Sequence, residues 1–378
     1  MKAVKTAVIG CGAISSAYMK NLKERFSIIE LAACSDLDVE KMNYRADEFD
    51  IKPLTFQEIL ADPEMEMIIN LTNPMVHYEI TKTALLAGKH VYSEKMLAVT
   101  TKQAKELCQI ANEKKLYLGV APDTFLGGTI QTARYLLEHG MIGKPLSFVA
   151  SLTRDFGIFA EILPHLRKPG GSITVDTGCY YMTALTSLLG NVDKVNAFST
   201  VNEQLRTGRR LGTSDFGKTY EVQVENILCA NVLFKNGVMG TFHMNSDCIF
   251  DETRILRIYG TEGILSIDDP NQFGSKLTLR KPFGPEIEFP LTHGFTDEYR
   301  GIGAAEMAWS MRKGRKNRAS AEMGYHVLEV LEGMAVSAQT GKLCQVESEF
   351  EQPSMLPAGF IGGKEYGMWA PTEETALS

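Results

Sequence analysis

No apolar run in the chain approaches the ~20 residues that a membrane-spanning helix requires. The first residues enter an apolar strand directly, without the longer apolar stretch of a secretory leader. Cysteines are few and scattered, at 11, 34, 108, 179, 229, 248 and 344, odd in number and mostly inside apolar runs. They do not suit a disulfide framework or a zinc site, and read as buried, reduced thiols in a cytoplasmic protein. No set of His, Cys, Asp or Glu has metal-ligand spacing, so no metal is expected. Positive charge is in deficit, with 39 Lys and Arg against 46 Asp and Glu and a net charge of −7. That argues against nucleic acid or an anionic membrane as partner. Internal repeats and low-complexity tracts are also missing. What remains is 378 residues of ordinary globular composition, 44 % hydrophobic and 22 % charged, long enough for two domains.

The first thirty-six residues carry the clearest pattern. Thr6-Ala7-Val8-Ile9 is a short apolar run of the kind buried on both faces of a sheet. It ends in Gly10-Cys11-Gly12-Ala13-Ile14-Ser15, a helical pattern follows to about Arg25, and a second apolar run from Ile28 to Cys34 closes on Ser35-Asp36. Strand, glycine turn, helix, strand, acid is the order of a dinucleotide-binding βαβ unit. Gly10 makes the tight turn, and Gly12 has no Cβ to block a pyrophosphate. Ala13 and Ile14 open the helix, whose N-terminal N–H groups favour an anion. Asp36 lies where a carboxylate accepts hydrogen bonds from both ribose hydroxyls. Ser15 takes the place of the third glycine and is still small enough for helix and strand to pack.

After Asp36, helical and strand patterns alternate through Val120, which calls for a doubly wound parallel sheet. Ligands of such sheets sit beyond the C-terminal strand ends. Asp36, Thr72-Asn73, Glu94-Lys95 and Ala121-Pro122-Asp123 all follow strands and are expected to face one crevice. From Phe125 the character changes. Long strands rich in β-branched residues are joined by turns such as Lys235-Asn236-Gly237. The expected fold is an α/β Rossmann domain over 1–123, then an α/β domain with an open, mostly antiparallel sheet over 124–345. A Pro- and Gly-rich tail, 346–378, is expected to pack on the surface.

Three motifs in order, the glycine turn, Glu94-Lys95 after the fifth strand, and Gly170-Gly171-x-x-x-x-Asp176-x-Gly178, resemble the Gfo/Idh/MocA family of oxidoreductases. The resemblance covers nearly the whole chain and implies NAD as cofactor. It also implies that Lys95 lies beside the nicotinamide and polarises the reacting oxygen. The family usually has Pro after this Lys; here Met96 stands there. Its commoner form has His where this chain has Tyr180, as some relatives also do. Asp176 and Tyr180, four residues apart, are expected on one face of a starting helix. A phenol beside two cations, Lys95 and oxidised nicotinamide, should have a lowered pKa and serve as proton acceptor. Asp176 would bind a neighbouring hydroxyl or orient Lys95.

Thr72, Asn73 and His77 match the family's loop beneath the cofactor, although His77 could equally cap or pack its helix. Arg154, Asp155, His165, Arg167 and Lys168 crowd the approach to Gly170-Gly171, as a pocket wall or a solvated loop; His293 sits in another polar loop that could reach the pocket. Val175-Asp176-Thr177-Gly178 also matches an aspartic-protease loop, but only one copy exists, in an α/β chain. The expected activity is hydride transfer between NAD and a secondary hydroxyl of a sugar, cyclitol or glycoside, in a homodimer or homotetramer. Transient sugar oxidation followed by elimination of a glycoside is the first alternative. A dinucleotide-sensing regulator is the second, and the retention of Lys95, Asp176 and Tyr180 argues against it.

Overall fold

The computed structural model describes residues 1–357 apart from 156, 169 and 249–251. The first sheet is built from β1 (Val4–Ile9), α1 (Ser15–Glu24), β2 (Ile29–Ser35), α2 (Val39–Phe49), β3 (Lys52–Pro53) and α3 (Phe56–Ala61). It continues with β4 (Met67–Asn70), α4 (His77–Leu86), β5 (His90–Ser93), α5 (Thr101–Lys114) and β6 (Leu118–Val120). All six strands run parallel in the order β3-β2-β1-β4-β5-β6. Strand order reverses between β1 and β4, and a crevice opens beyond their C-terminal ends. Local signals fix the helix limits. Asp38, Thr55 and Thr100 cap α2, α3 and α5, each cap contributing about 1 kcal/mol, and Asp50 and Lys115 end α2 and α5 in the left-handed region.

The rest of the chain forms α6 (Gly128–Glu138), β7 (Pro145–Thr153), α7 (Gly157–Ala160), α8 (Ile173–Asp176), α9 (Gly178–Leu189) and β8 (Val192–Thr200). Then come β9 (Leu205–Thr207), β10 (Thr219–Glu221), β11 (Ile227–Phe234), β12 (Met239–Asn245), β13 (Thr253–Gly260), β14 (Ile264–Ile267), β15 (Leu277–Arg280) and β16 (Glu286–Glu288). The last elements are α10 (Ile302–Lys313), α11 (Ala321–Thr340) and β17 (Cys344–Gln345). A nine-stranded sheet runs β16-β15-β14-β13-β7-β12-β11-β8-β17, antiparallel except where β7 meets β12; β9 and β10 form a separate hairpin. Helix α9 is buried along its whole length. Helix α11 packs on β8, α5 and α9 and so joins the two sheets. On the sheet's other face Phe198 and Cys229 are cross-strand partners, and both are exposed.

Several expectations need correction. Asp176 and Tyr180 do not share a helix: α8 ends at Asp176, and α9 begins after Thr177. Cys229 is exposed and Cys248 and Cys344 are half-buried, so the thiols are not uniformly interior; all seven are free. In the described part of the tail Val346, Phe350 and Leu356 are buried. Residues 358–378 lie outside the described residues. No described helix is long and apolar enough to cross a membrane.

Candidate active site

The crevice begins at the turn after β1. Gly10 has φ +101°, and a Cβ there would lie 2.7 Å from the Leu71 carbonyl, so only glycine fits. A Cβ on Gly12 would meet nothing within 4 Å: it faces open space. Helix α1 begins without a side-chain cap beside the exposed Ala13 and Ile14, and its first turn is free to receive an anion. Asp36 closes the turn, its Oδ2 accepting the Cys11 N–H at 2.6 Å and its Oδ1 the Asp38 N–H at 2.8 Å. Open space at Gly12, a bare helix start and a carboxylate at the end of β2 together suit a dinucleotide's pyrophosphate and ribose.

At the end of β4, the Asn70 side chain accepts the Thr72 N–H and hydroxyl, and Asn73 caps the following turn through the Met75 N–H. His77 does not face the crevice. It is fully buried, its ring nitrogens 2.8 Å from the Met96 carbonyl and 2.9 Å from that of Thr72. Burial lowers its pKa, and its place is to pin two crevice loops together. The Lys95–Met96 peptide is cis although no proline is present. Glu94 is held from both sides, one oxygen accepting the Tyr18 hydroxyl at 2.6 Å and the other the Lys95 N–H at 2.9 Å.

Lys95 reaches across to the second sheet's side of the crevice. Its ammonium donates to the Asp176 carboxylate at 2.7 Å and to the Asp176 carbonyl at 2.9 Å. Burial works to lower the Lys95 pKa, but Asp176, the Tyr180 phenol and Glu94 outweigh it and hold the ammonium charged. Lys95 and Asp176 head a groove of about 450 Å³ that His165 also lines. Burial lowers the His165 pKa, Asp176 opposing and Lys95 adding to the effect.

Tyr180 stands behind Lys95, whose ammonium is 5.4 Å from the ring centroid. Burial pushes its phenol up to about 12, with Lys95 and Arg300 pulling the other way, so the expected fall is not seen in the chain by itself. The Arg300 guanidinium is near enough to the Tyr180 phenol to favour its ionised form. A dense network holds Arg300 in place. Its Nη2 bonds Asn271 at 3.0 Å, its Nη1 pairs with Glu298, and its carbonyl accepts from Asn21 at 3.0 Å. The buried Asp123 carboxylate takes the Gly301 and Gly303 N–H groups at 2.9 and 3.1 Å. Tyr18, Asp123 and Arg300 were not singled out from the sequence; only the position of Asp123 after a strand hinted at its place.

Two other candidates lie elsewhere. Arg154 stacks on Phe159 at 4.3 Å and sits 3.9 Å from Glu252, outside the groove. His293 is buried between the Thr292 hydroxyl and the Leu356 carbonyl, both at 2.9 Å, where it fastens the tail. Each satisfies local charge or hydrogen bonding away from the crevice.

Fold and crevice define a two-domain dinucleotide-binding oxidoreductase. The family model for the Gfo/Idh/MocA oxidoreductases' NAD-binding Rossmann fold matches residues 4–121, and that for the family's C-terminal domain matches 130–266. The chain belongs to this family, and its first domain is the NAD-binding one. It is similar to an uncharacterised oxidoreductase of Schizosaccharomyces pombe, 30 % identical over 203 residues, 52 % of this chain and 54 % of that protein. It is also similar to 1,5-anhydro-D-fructose reductase of Ensifer adhaerens, 27 % identical over 235 residues, 60 % of this chain and 62 % of that one. The matched stretch thus spans little more than half the length of these relatives. Levoglucosan dehydrogenase solved with NADH and levoglucosan has the same fold, with a TM-score of 0.80 at 18 % identity over 92 % of this chain and 100 % of that one.

Proposed function

We propose that the chain transfers a hydride between NAD and a secondary hydroxyl of a sugar, cyclitol or glycoside. The observation that carries this is the Lys95–Asp176 pair at the head of a groove, on the same strand-end crevice as the glycine turn. Relatives named for an anhydro-sugar and for levoglucosan support a carbohydrate substrate. NAD, when bound, would supply the hydride acceptor or donor, and Gly12, Ala13, Ile14, Asp36, Thr72 and Asn73 would hold it. Lys95 donates to the reacting oxygen and stabilises its negative charge, while Asp176 fixes the direction of the ammonium. Tyr180 exchanges the oxygen's proton. With its phenol at about 12 it is poised to donate, the sense of carbonyl reduction, and accepts a proton in oxidation with help from Lys95 and Arg300. Glu94, His77 and Arg300 act as positioning residues. The exposed sheet face around Phe198 and Cys229 is the surface for a second copy, giving a homo-oligomer.

The test is single-turnover hydride transfer in wild type and Tyr180→Phe, with NAD affinity measured alongside. Loss of the hydroxyl should cost about two to four decades in rate and leave NAD affinity intact. Retention of more than about a third of the wild-type rate would make Tyr180 a packing residue, and His165 the next candidate.

A further inference from the structure

The groove running from Lys95 carries a one-sided charge. Its only fixed cation among the described residues is Lys95, already paired with Asp176; burial of the His165 imidazole favours its neutral form. Against them stand Glu332, whose carboxylate accepts the Thr101 N–H at 3.0 Å, and Glu225, which pairs with no cation of the described residues. Of the basic residues near Gly170 in sequence, Arg154 and Arg167 are used elsewhere, and the exposed Lys168 does not line the groove. Arg167 pairs with Asp215 and stacks on Tyr220 at 3.9 Å, Arg206 pairs with Asp247, and Arg209 with Asp155. A carboxylate or phosphate on the substrate would therefore meet two carboxylates and no uncommitted cation. Beyond the charged head the walls become apolar: Leu328, Leu331 and Ala335 of α11 face Val201 and Val224. Such walls suit the C–H face of a sugar ring or an aglycone.

Resting on the hydride-transfer reading above, we propose that this groove binds an uncharged glycoside. The reacting ring lies at Lys95, the second moiety lies along α11, and Glu225 is the residue that turns acidic sugars away. Repulsion of an anion by Glu225 acts on the difference between two substrates, so the ratio of their kcat/KM values is the quantity to measure.

The experiment is NADH formation by full-length protein with a panel of methyl hexopyranosides, their phenyl counterparts and the matched methyl glycuronides. Wild type should favour each neutral methyl glycoside over its glycuronide by about tenfold or more, and the phenyl glycoside should have the lower KM. Glu225→Arg should shrink the neutral-to-acidic ratio by about tenfold or more, and Glu225→Gln should shrink it less. Circular dichroism and NAD affinity would verify that both variants are folded. A glycuronide used within tenfold of its neutral partner, or a ratio unmoved in folded Glu225→Arg, overturns the groove assignment while hydride transfer stands. If no member of the panel reduces NAD while a free sugar or cyclitol does, the groove assignment falls and hydride transfer stands.

Discussion

Replacing Asp176 with Asn tests the centre of the site, because the amide keeps the shape and one hydrogen bond but removes the charge opposite Lys95. Breaking a fully buried ion pair on one side costs about 3–5 kcal/mol. Here the two side chains are 17 % and 28 % exposed, so solvent screening brings the expected loss of stability to about 1–2 kcal/mol. The larger effect falls on the ammonium. Asp176 is the chief group raising the Lys95 pKa against burial, so its loss lets burial lower that pKa. Lys95 is charged below its pKa. The variant's deficit should therefore be greatest at alkaline pH and shrink as pH falls. The stability contributed by a raised Lys pKa, present below the unfolded value and lost above the folded one, disappears with it. A loosened ammonium should slow hydride transfer about 100-fold near neutrality. Stopped-flow rates across pH, with urea melts, provide the measurement. A variant within twofold of wild type in rate at every pH would show that the pair only holds the two sheets together.

Asp36 should repel a 2′-phosphate; wholly exposed Leu37 follows it, and Arg45 is committed to Glu48 and Ser15. NAD should bind at least tenfold tighter than NADP, about 1.4 kcal/mol, and Asp36→Ser should narrow the gap; calorimetry giving NADP equal or better would refute this. Arg300→Met should raise the Tyr180 proton affinity, since Arg300 favours the phenolate, and move the alkaline arm of the rate profile upward. An ultraviolet titration of the phenol unchanged by that substitution would count against it. Buried His326 accepts from the Val192 N–H and lies against Ser348, and burial lowers it to about 4. The unfolded chain then binds the extra proton, so this group's contribution of about 3 kcal/mol is lost as pH falls from about 6.5 to 4. Asp123, pushed up to about 6 by burial, acts in the opposite sense. The check is therefore the difference in urea midpoint between wild type and His326→Gln over that window, and a constant difference would refute it.

What could be read from the sequence was what local geometry dictates. Gly10 answers to one turn and its neighbouring strand, and Asp36 to the end of one strand, so order and spacing along the chain were enough to place them. Asp176 and Tyr180 show the limit. Their four-residue spacing implies a shared helical face, but Thr177 breaks the helix between them, and they meet Lys95 differently, Asp176 through its carboxylate and Tyr180 through its ring. His77 and His293 looked like site residues because histidine in a polar loop gives no sign of burial. Each instead bridges backbone segments in the interior. Arg300 and Glu225 had no readable signal, and Asp123 only its position after a strand, since what matters about them is which distant segment they meet.

That distance carries a mechanistic consequence. Asp123 lies just past the last strand of the first sheet, and its carboxylate takes two backbone N–H groups 178 and 180 residues further on. Those groups follow Arg300 at the start of α10, and Arg300 favours the ionised form of Tyr180, while Lys95 from the first sheet meets Asp176 from the opposite wall. Proton handling at Tyr180 and charge stabilisation at Lys95 are thus both set by how the two sheets dock. Neither half of the chain holds a complete site. A substitution that only loosens the docking, without touching crevice residues, would lower the hydride-transfer rate before it lowers NAD affinity, because the glycine turn, α1 and Asp36 belong wholly to the first sheet.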